Sequence, residues 1–239
     1  MARKMLLAGV SEEELQRPEA PQKPQTPKGK WENFWYYYKW WVLGGLGVAL
    51  ILTVCIVQMV TKVEPDYEIV LVTGNAVDYE AQDKLYDAFL EHAVDVNGDG
   101  EVRVGLEYLP IGADEDDFSE MTYTYTTKLQ ALMGAGYNKF YIFDQPTYER
   151  VIKKSVDEGY PFYIPMDIEA EGYVDSHDYW DWYGSEYQQS EWGKKFPEHL
   201  YFGVCGPTKK GSEKRQEADK QTIEACMALA KAFIEAQQP

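Results

Sequence analysis

Along its apolar and polar positions the chain changes character twice. Residues 1–30 hold no apolar pattern large enough for a core. Ser11 and Glu14 stand at capping-box spacing, and Pro18, Pro21, Pro24 and Pro27 recur every third residue, the period of polyproline II. That stripe reads as a stiff spacer or as a ridge for an aromatic groove. From Val42 to Val60, nineteen residues pass without a charge. At about 1.5 Å per residue they make a helix of roughly 28 Å, close to the hydrocarbon thickness of a bilayer. Trp31, Trp35, Tyr36, Tyr37, Tyr38, Trp40 and Trp41 crowd its upstream side, where amphipathic rings suit the headgroup region.

Beyond residue 62 the pattern becomes that of a folded domain. Tyr67–Thr73 is a short strand-like run ending at Gly74-Asn75, and Asp78–Ala93 is a helix with Ala81, Leu85, Ala88 and Phe89 on one face. Val102–Leu109 alternates as a strand. Phe118–Gly134 is helical in its second half, through Leu129, Leu132 and Met133, and stops at Gly134 and Gly136. Lys139–Phe143 is a third strand, followed by Asp144 as the cap of a helix with Pro146 in its first turn. Leu200–Cys205 is a late strand, and Ser212–Gln237 a long helix buried through Ile223, Met227, Ala230 and Ile234. Strands alternating with helices predict a layered α/β domain with a largely parallel sheet. Three regions follow: a cytosolic Pro-rich tail (1–30), an aromatic belt with a transmembrane helix (31–61), and an extracytoplasmic α/β domain (62–239).

Charge sets the orientation. Arg3, Lys4, Arg17, Lys23, Lys28, Lys30 and Lys39 precede the apolar run, whereas Lys62 is followed by Glu64, Asp66 and Glu68. The positive-inside rule then puts the N-terminus in the cytosol and the domain outside a cell membrane crossed once. The apolar run starts about forty residues in and has no small-x-small cleavage site behind it, and Val54 stands where a lipobox needs a small residue before Cys55. An uncleaved anchor is expected. Over the whole chain 40 acids face 23 bases, a net charge of −17, which argues against nucleic acid as a partner. Cys55, Cys205 and Cys226 form no CxxC pair and no disulfide framework, although Cys205 and Cys226 lie in one domain and leave a single bridge open.

The stretch TKLQALMGAGYNKFYIFDQPTYERVIKKSVDEGYPFYIPMD (127–167) resembles the core of the extracellular solute-binding proteins of bacterial ABC transporters. The shared order is a helix ending in a Gly turn, a strand ending in an acid, a helix, a glycine, and a Pro-Met run. With 67–109 it covers about half of the outer domain, which has room for one lobe plus additions rather than for a two-lobed clamp. The resemblance implies a solute-binding-like α/β fold, held here on a transmembrane anchor.

Candidate sites fall in three places. Ligands of open α/β sheets sit beyond the carboxyl ends of the strands, an edge that would present Gly74, Asn75, Pro110 and Asp144, although Asp144 also serves as a cap and Gly74 as a turn. Residues 173–192 interleave Tyr173, Tyr179, Trp180, Trp182, Tyr183, Tyr187 and Trp192 with Asp175, His177, Asp178 and Asp181, a composition that suits sugar stacking, a protein partner, or the closing of a core, with a metal at His177 and its flanking Asp residues as a further reading that no second nearby His supports. Asp95, Asn97 and Asp99 occupy positions 1, 3 and 5 of an EF-hand-type loop, with Gly100 at 6 and the Glu101 carbonyl at 7, so Ca²⁺ is a candidate ion. Arg103 and Leu106 stand at positions 9 and 12, where ligands belong, so an Asn-Gly/Asp-Gly turn is the competing reading. Asp114-Glu-Asp-Asp117 reads as a solvated loop.

No GxSxG, HExxH or Gly-rich phosphate loop occurs, and His92, His177 and His199 stand far apart. The expectation is a non-enzymatic membrane protein whose outer domain binds a small solute or an envelope partner. The alternative is an assembly subunit docking through the aromatic 173–192 segment. A pocket at Gly74 and Asp144 would favour the first, a sealed edge with an exposed apolar patch elsewhere the second.

Overall fold

The computed structural model describes residues 26–60, 65–112, 119–207 and 212–237. The Asp114–Asp117 run, the Ser11/Glu14 pair and the prolines at 18, 21 and 24 lie outside them. The chain divides into two units, Met1–Val63 and Glu64–Pro239.

In the first unit, α1 (Pro27–Val60) is one unbroken helix. Trp31 stacks on Phe34 and Trp35, and Phe34 stacks on Tyr38, a ladder at helical spacings of three and four. The helix is long and apolar enough to cross a membrane, and none of its apolar window is buried in protein, which is compatible with a membrane anchor or a signal sequence.

The second unit is a three-layer α/β domain on a six-stranded mixed sheet of order β2-β1-β3-β6-β5-β4. In chain order its elements are β1 (Tyr67–Thr73), α2 (Tyr79–His92), β2 (Val104–Pro110), α3 (Glu120–Ala135) and β3 (Phe140–Asp144). Next come α4 (Gln145–Tyr148), a π-helical turn (Glu149–Lys153) and α5 (Lys154–Asp157), then β4 (Tyr173–Val174), β5 (Tyr179–Asp181), α6 (Glu186–Gln189), β6 (Leu200–Val204) and α7 (Glu213–Glu235).

Alternation along the strands divides the core in two. Tyr67, Ile69, Leu71, Phe140, Ile142 and Phe202 face α2 and α7, where Phe89 stacks on Phe233 at 4.4 Å between ring centres. Val70, Val72, Tyr141, Phe143 and Tyr201 face α3 and the α4–α5 segment through Leu129, Tyr148 and Ile152. All four residues expected on the α2 face are buried.

The expectation of a largely parallel sheet is corrected. β1 runs parallel to β2 and β3, but β3–β6, β6–β5 and β5–β4 are antiparallel, so three of the five pairings are. The cause lies between β3 and β6. Instead of one helical crossover, the chain leaves the helix layer through Gly159, in the left-handed region at φ 88°, and makes a bridge between Tyr163 and Cys205. It then builds the β4–β5 hairpin and enters β6 from the other end of the sheet. A strand's direction is decided by the end at which the chain returns, and that is a property of the whole excursion.

Candidate functional site

At the carboxyl end of the parallel strands, the chain closes on itself. Asp144 is buried, and its two carboxylate oxygens accept from the backbone N–H groups of Gly74 (2.7 Å) and Thr147 (3.0 Å). The second is the helix cap expected from the sequence. Thr73 donates its hydroxyl to the Asn75 carbonyl at 2.6 Å, and Tyr108 accepts from the Val77 N–H at 2.7 Å. Gly74, Asn75 and Asp144 are thus brought together, as a hydrogen-bonded strand-end junction.

The aromatic segment divides by strand alternation. Trp180 and Trp182 are 1% and 0% exposed. They fill the core on the α7 side, with indole N–H groups donating to the carbonyls of Glu171 and Glu198. Period-2 alternation at the sheet's flank turns both rings inward, and Trp180 also edges a cleft of about 330 Å³ lined by Glu171, Tyr183, Ser185, Glu186, Gln189 and Gln237. Tyr179 points to the other face and stacks on Tyr201 at 4.2 Å. Asp181 and His199, whose pairing spacing did not reveal, lie 2.7 Å apart, and Tyr183 stacks on the imidazole. Burial raises the Asp181 carboxyl above its usual range, against the opposing pull of His199.

The 95–101 loop is organised by nitrogen donors. Asp95 accepts from the N–H groups of Gly98 and Gly100, Asn97 from that of Asp99, and Asp99 from that of Glu101. The Arg103 guanidinium pairs with Asp99 at 2.7 Å and with Glu101. Asp66 clamps both loop ends, accepting from Val96, Asn97 and Arg103 N–H groups at 2.8, 3.0 and 2.9 Å. Burial raises the Asp66 carboxyl, but these donors together outweigh it and hold it below the ordinary range. Among the described residues, no group of three or more His, Cys, Asp and Glu is placed to hold a metal ion. A calcium ion here would have to displace Arg103 from the Asp99 carboxylate.

Among the clefts of the described residues, two lie away from these places and bear on ligand binding. One, of about 500 Å³, is lined by Asp167, Glu169, Tyr173, Asp175 and Asp178. The other, of about 630 Å³, sits at the opposite end of β3 from Asp144 and is predominantly apolar, lined by Met133, Tyr141, Tyr160, Phe162, Ile164, Cys205 and Pro207 among others. Lys139 also lines it, but its ammonium pairs at 3.2 Å with the buried carboxylate of Asp219. Cys205 and Cys226 are unpaired thiols. Burial pushes the Cys226 thiol up to about 12 and raises Cys205 further. The groove gathers residues from α3, β3, the 159–164 return and the end of β6. In sequence its only trace is the aromatic-proline run Tyr160-Pro161-Phe162, which strand-edge reasoning passed over. No protein family, curated protein or solved structure matches the chain.

Proposed function

We propose that this chain is a non-enzymatic, single-pass membrane protein that displays a solute-binding-protein-like α/β unit outside the cell, where the unit binds a small solute. The membrane part of this reading is supported by α1 and by the basic residues upstream of it. The binding part is carried by one observation: a predominantly apolar groove of about 630 Å³ with a few polar groups, within the size range of small-molecule sites. This moves the expected binding place from the Gly74/Asp144 edge, whose carboxylate is committed to backbone donors, to the far end of β3.

Two measurements on the full chain test the reading. Protease added to intact cells should digest residues 64–239 and spare an N-terminal epitope tag. Digestion of the tag alone would reverse the orientation. In lipid nanodiscs, a solute panel should contain a class that raises the melting temperature, since a ligand at a hundred times its dissociation constant adds about 2.7 kcal/mol. A flat response would favour the docking subunit. That second reading draws on the hydrogen-bonded edge at Asp144 and on Tyr183, which is 55% exposed in the 173–192 segment.

A further inference from the structure

A polar group in the wall of the apolar groove has nothing to bond to. Tyr141, on the central strand β3, lines the groove and is 1% exposed. Its ring is fixed edge-on to Phe162 at 5.4 Å and stacked on Phe143 at 6.1 Å. Its hydroxyl is buried without a hydrogen-bond partner. A buried hydroxyl left unpaired is unfavourable by the desolvation it has undergone, so such groups are ordinarily satisfied. Burial also raises the phenol's pKa, which keeps it a neutral donor.

The charges nearby are compensated or absent. The Lys139 ammonium pairs with Asp219, and the raised Cys205 thiol is neutral. The remaining lining is Asn138, whose side-chain amide donates to the Glu68 carboxylate at 3.2 Å, together with Met, Ile, Pro and aromatic side chains and the backbone of Gly136, Gly159 and Gly206 at the margins. An anion would meet no free counter-charge among these groups, and a cation none either.

Resting on the solute-binding reading above, we propose that the groove takes a small, uncharged, largely apolar molecule carrying one hydrogen-bond acceptor, such as a ketone, ester or ether oxygen, which receives the Tyr141 hydroxyl. The surrounding side chains recognise the body by shape, and Tyr141 recognises the one polar atom. The groove then discriminates by the asymmetry of buried polar groups: a ligand lacking the acceptor leaves the phenol as unpaired as before.

The test uses two probes of nearly equal shape, acetophenone, which has the acceptor, and ethylbenzene, which lacks it. The full chain in nanodiscs carries ¹³C-methyl methionine. Met133 lines the groove, while Met166 and Met227 pack in the core on the other face of the sheet and report the fold. Each probe is titrated against wild type and Tyr141→Phe, so that partitioning into lipid cancels between the two proteins. Acetophenone should shift the Met133 methyl in wild type, and its apparent dissociation constant should rise about five- to tenfold in Tyr141→Phe, the worth of one net hydrogen bond. Ethylbenzene should bind both proteins equally. If both probes shift Met133 and neither distinguishes the two proteins, the acceptor proposal is overturned while the groove stands as a site. If neither probe moves Met133, both the acceptor and the binding groove are overturned. Movement of Met166 and Met227 between the unliganded proteins would locate a refolded core, and Tyr141→Leu would then repeat the comparison.

Discussion

Asp144 ties the end of β3 to the chain beyond β1: its Oδ2 accepts the Gly74 N–H at 2.7 Å across seventy residues of sequence. Its Oδ1 caps α4 through the Thr147 N–H at 3.0 Å. One buried carboxylate thus satisfies two donors, one local and one remote. Asp144→Ala should lower stability by about 2–4 kcal/mol, the sum of a lost cap and an orphaned buried N–H. Asp144→Asn, which retains one acceptor oxygen, should lose about half of that. Melting curves of the two variants decide it, and equal losses would mean that only one of the bonds matters.

The clamp of Asp66 on the 95–101 loop has a pH signature. Donors from Arg103, Asn97 and Val96 outweigh burial and depress its pKa, so the folded state favours the ionised form. The stabilisation is present above the ordinary carboxylate pKa, near 3.9, and is lost as pH falls through the lower folded value. The stability gap between wild type and Asp66→Ala should be constant from about pH 5 to 7 and shrink below about pH 4. A gap that widens on acidification would reverse the sign of the shift.

Gly203 on β6 leaves room for a ring. A Cβ built there would lie 2.4 Å from the ring of Tyr163, which is itself 1% exposed and has nowhere to withdraw. Gly203→Ala should cost about 1–3 kcal/mol through overpacking, and Gly203→Ala with Tyr163→Ala should remove that extra penalty. Denaturant titration of the two singles and the double measures the coupling.

Lys139 and Asp219 form a buried pair, with side chains 2% and 7% exposed. Removing one partner leaves a charge in the core, so Lys139→Met alone should lose about 3–5 kcal/mol. Lys139→Met combined with Asp219→Leu should recover most of it. A double variant no better than the single would show that other bonds of these two residues dominate.

The calcium question has a direct form. Arg103 holds Asp99 and Glu101, so a bound ion competes with a guanidinium. If the loop takes Ca²⁺, excess calcium over chelator should raise the melting temperature of Arg103→Ala more than that of wild type, and Asp99→Ala should abolish the response. Identical curves for all three proteins would leave the loop an Asx-type turn.

Local physics made part of this protein legible in its residues. β1 was expected at Tyr67–Thr73 and spans those residues, because a β-branched run bounded by charge and Gly-Asn needs no distant partner to be recognised. The α2 face and the Asp144 cap follow from spacings of three and four and from a side chain bonding its own next turn. Alternation also held the information that Trp180 and Trp182 share one face; what it lacked was which face the core would cover.

Sequence alone determined the apolar helix, the order of β1, β2, β3 and β6 with the main helices between them, and most of the faces they bury, because each is written within one or two turns of chain; the β4–β5 hairpin was not among the expected elements. Tertiary structure decided the direction of β6, the sealing of the Gly74 edge by Asp144, the grip of Arg103 on the acidic loop, and the groove around Tyr141. Each of these joins groups that are far apart along the chain or depends on how a long excursion returns, and pairings of that kind are fixed only when the layers close.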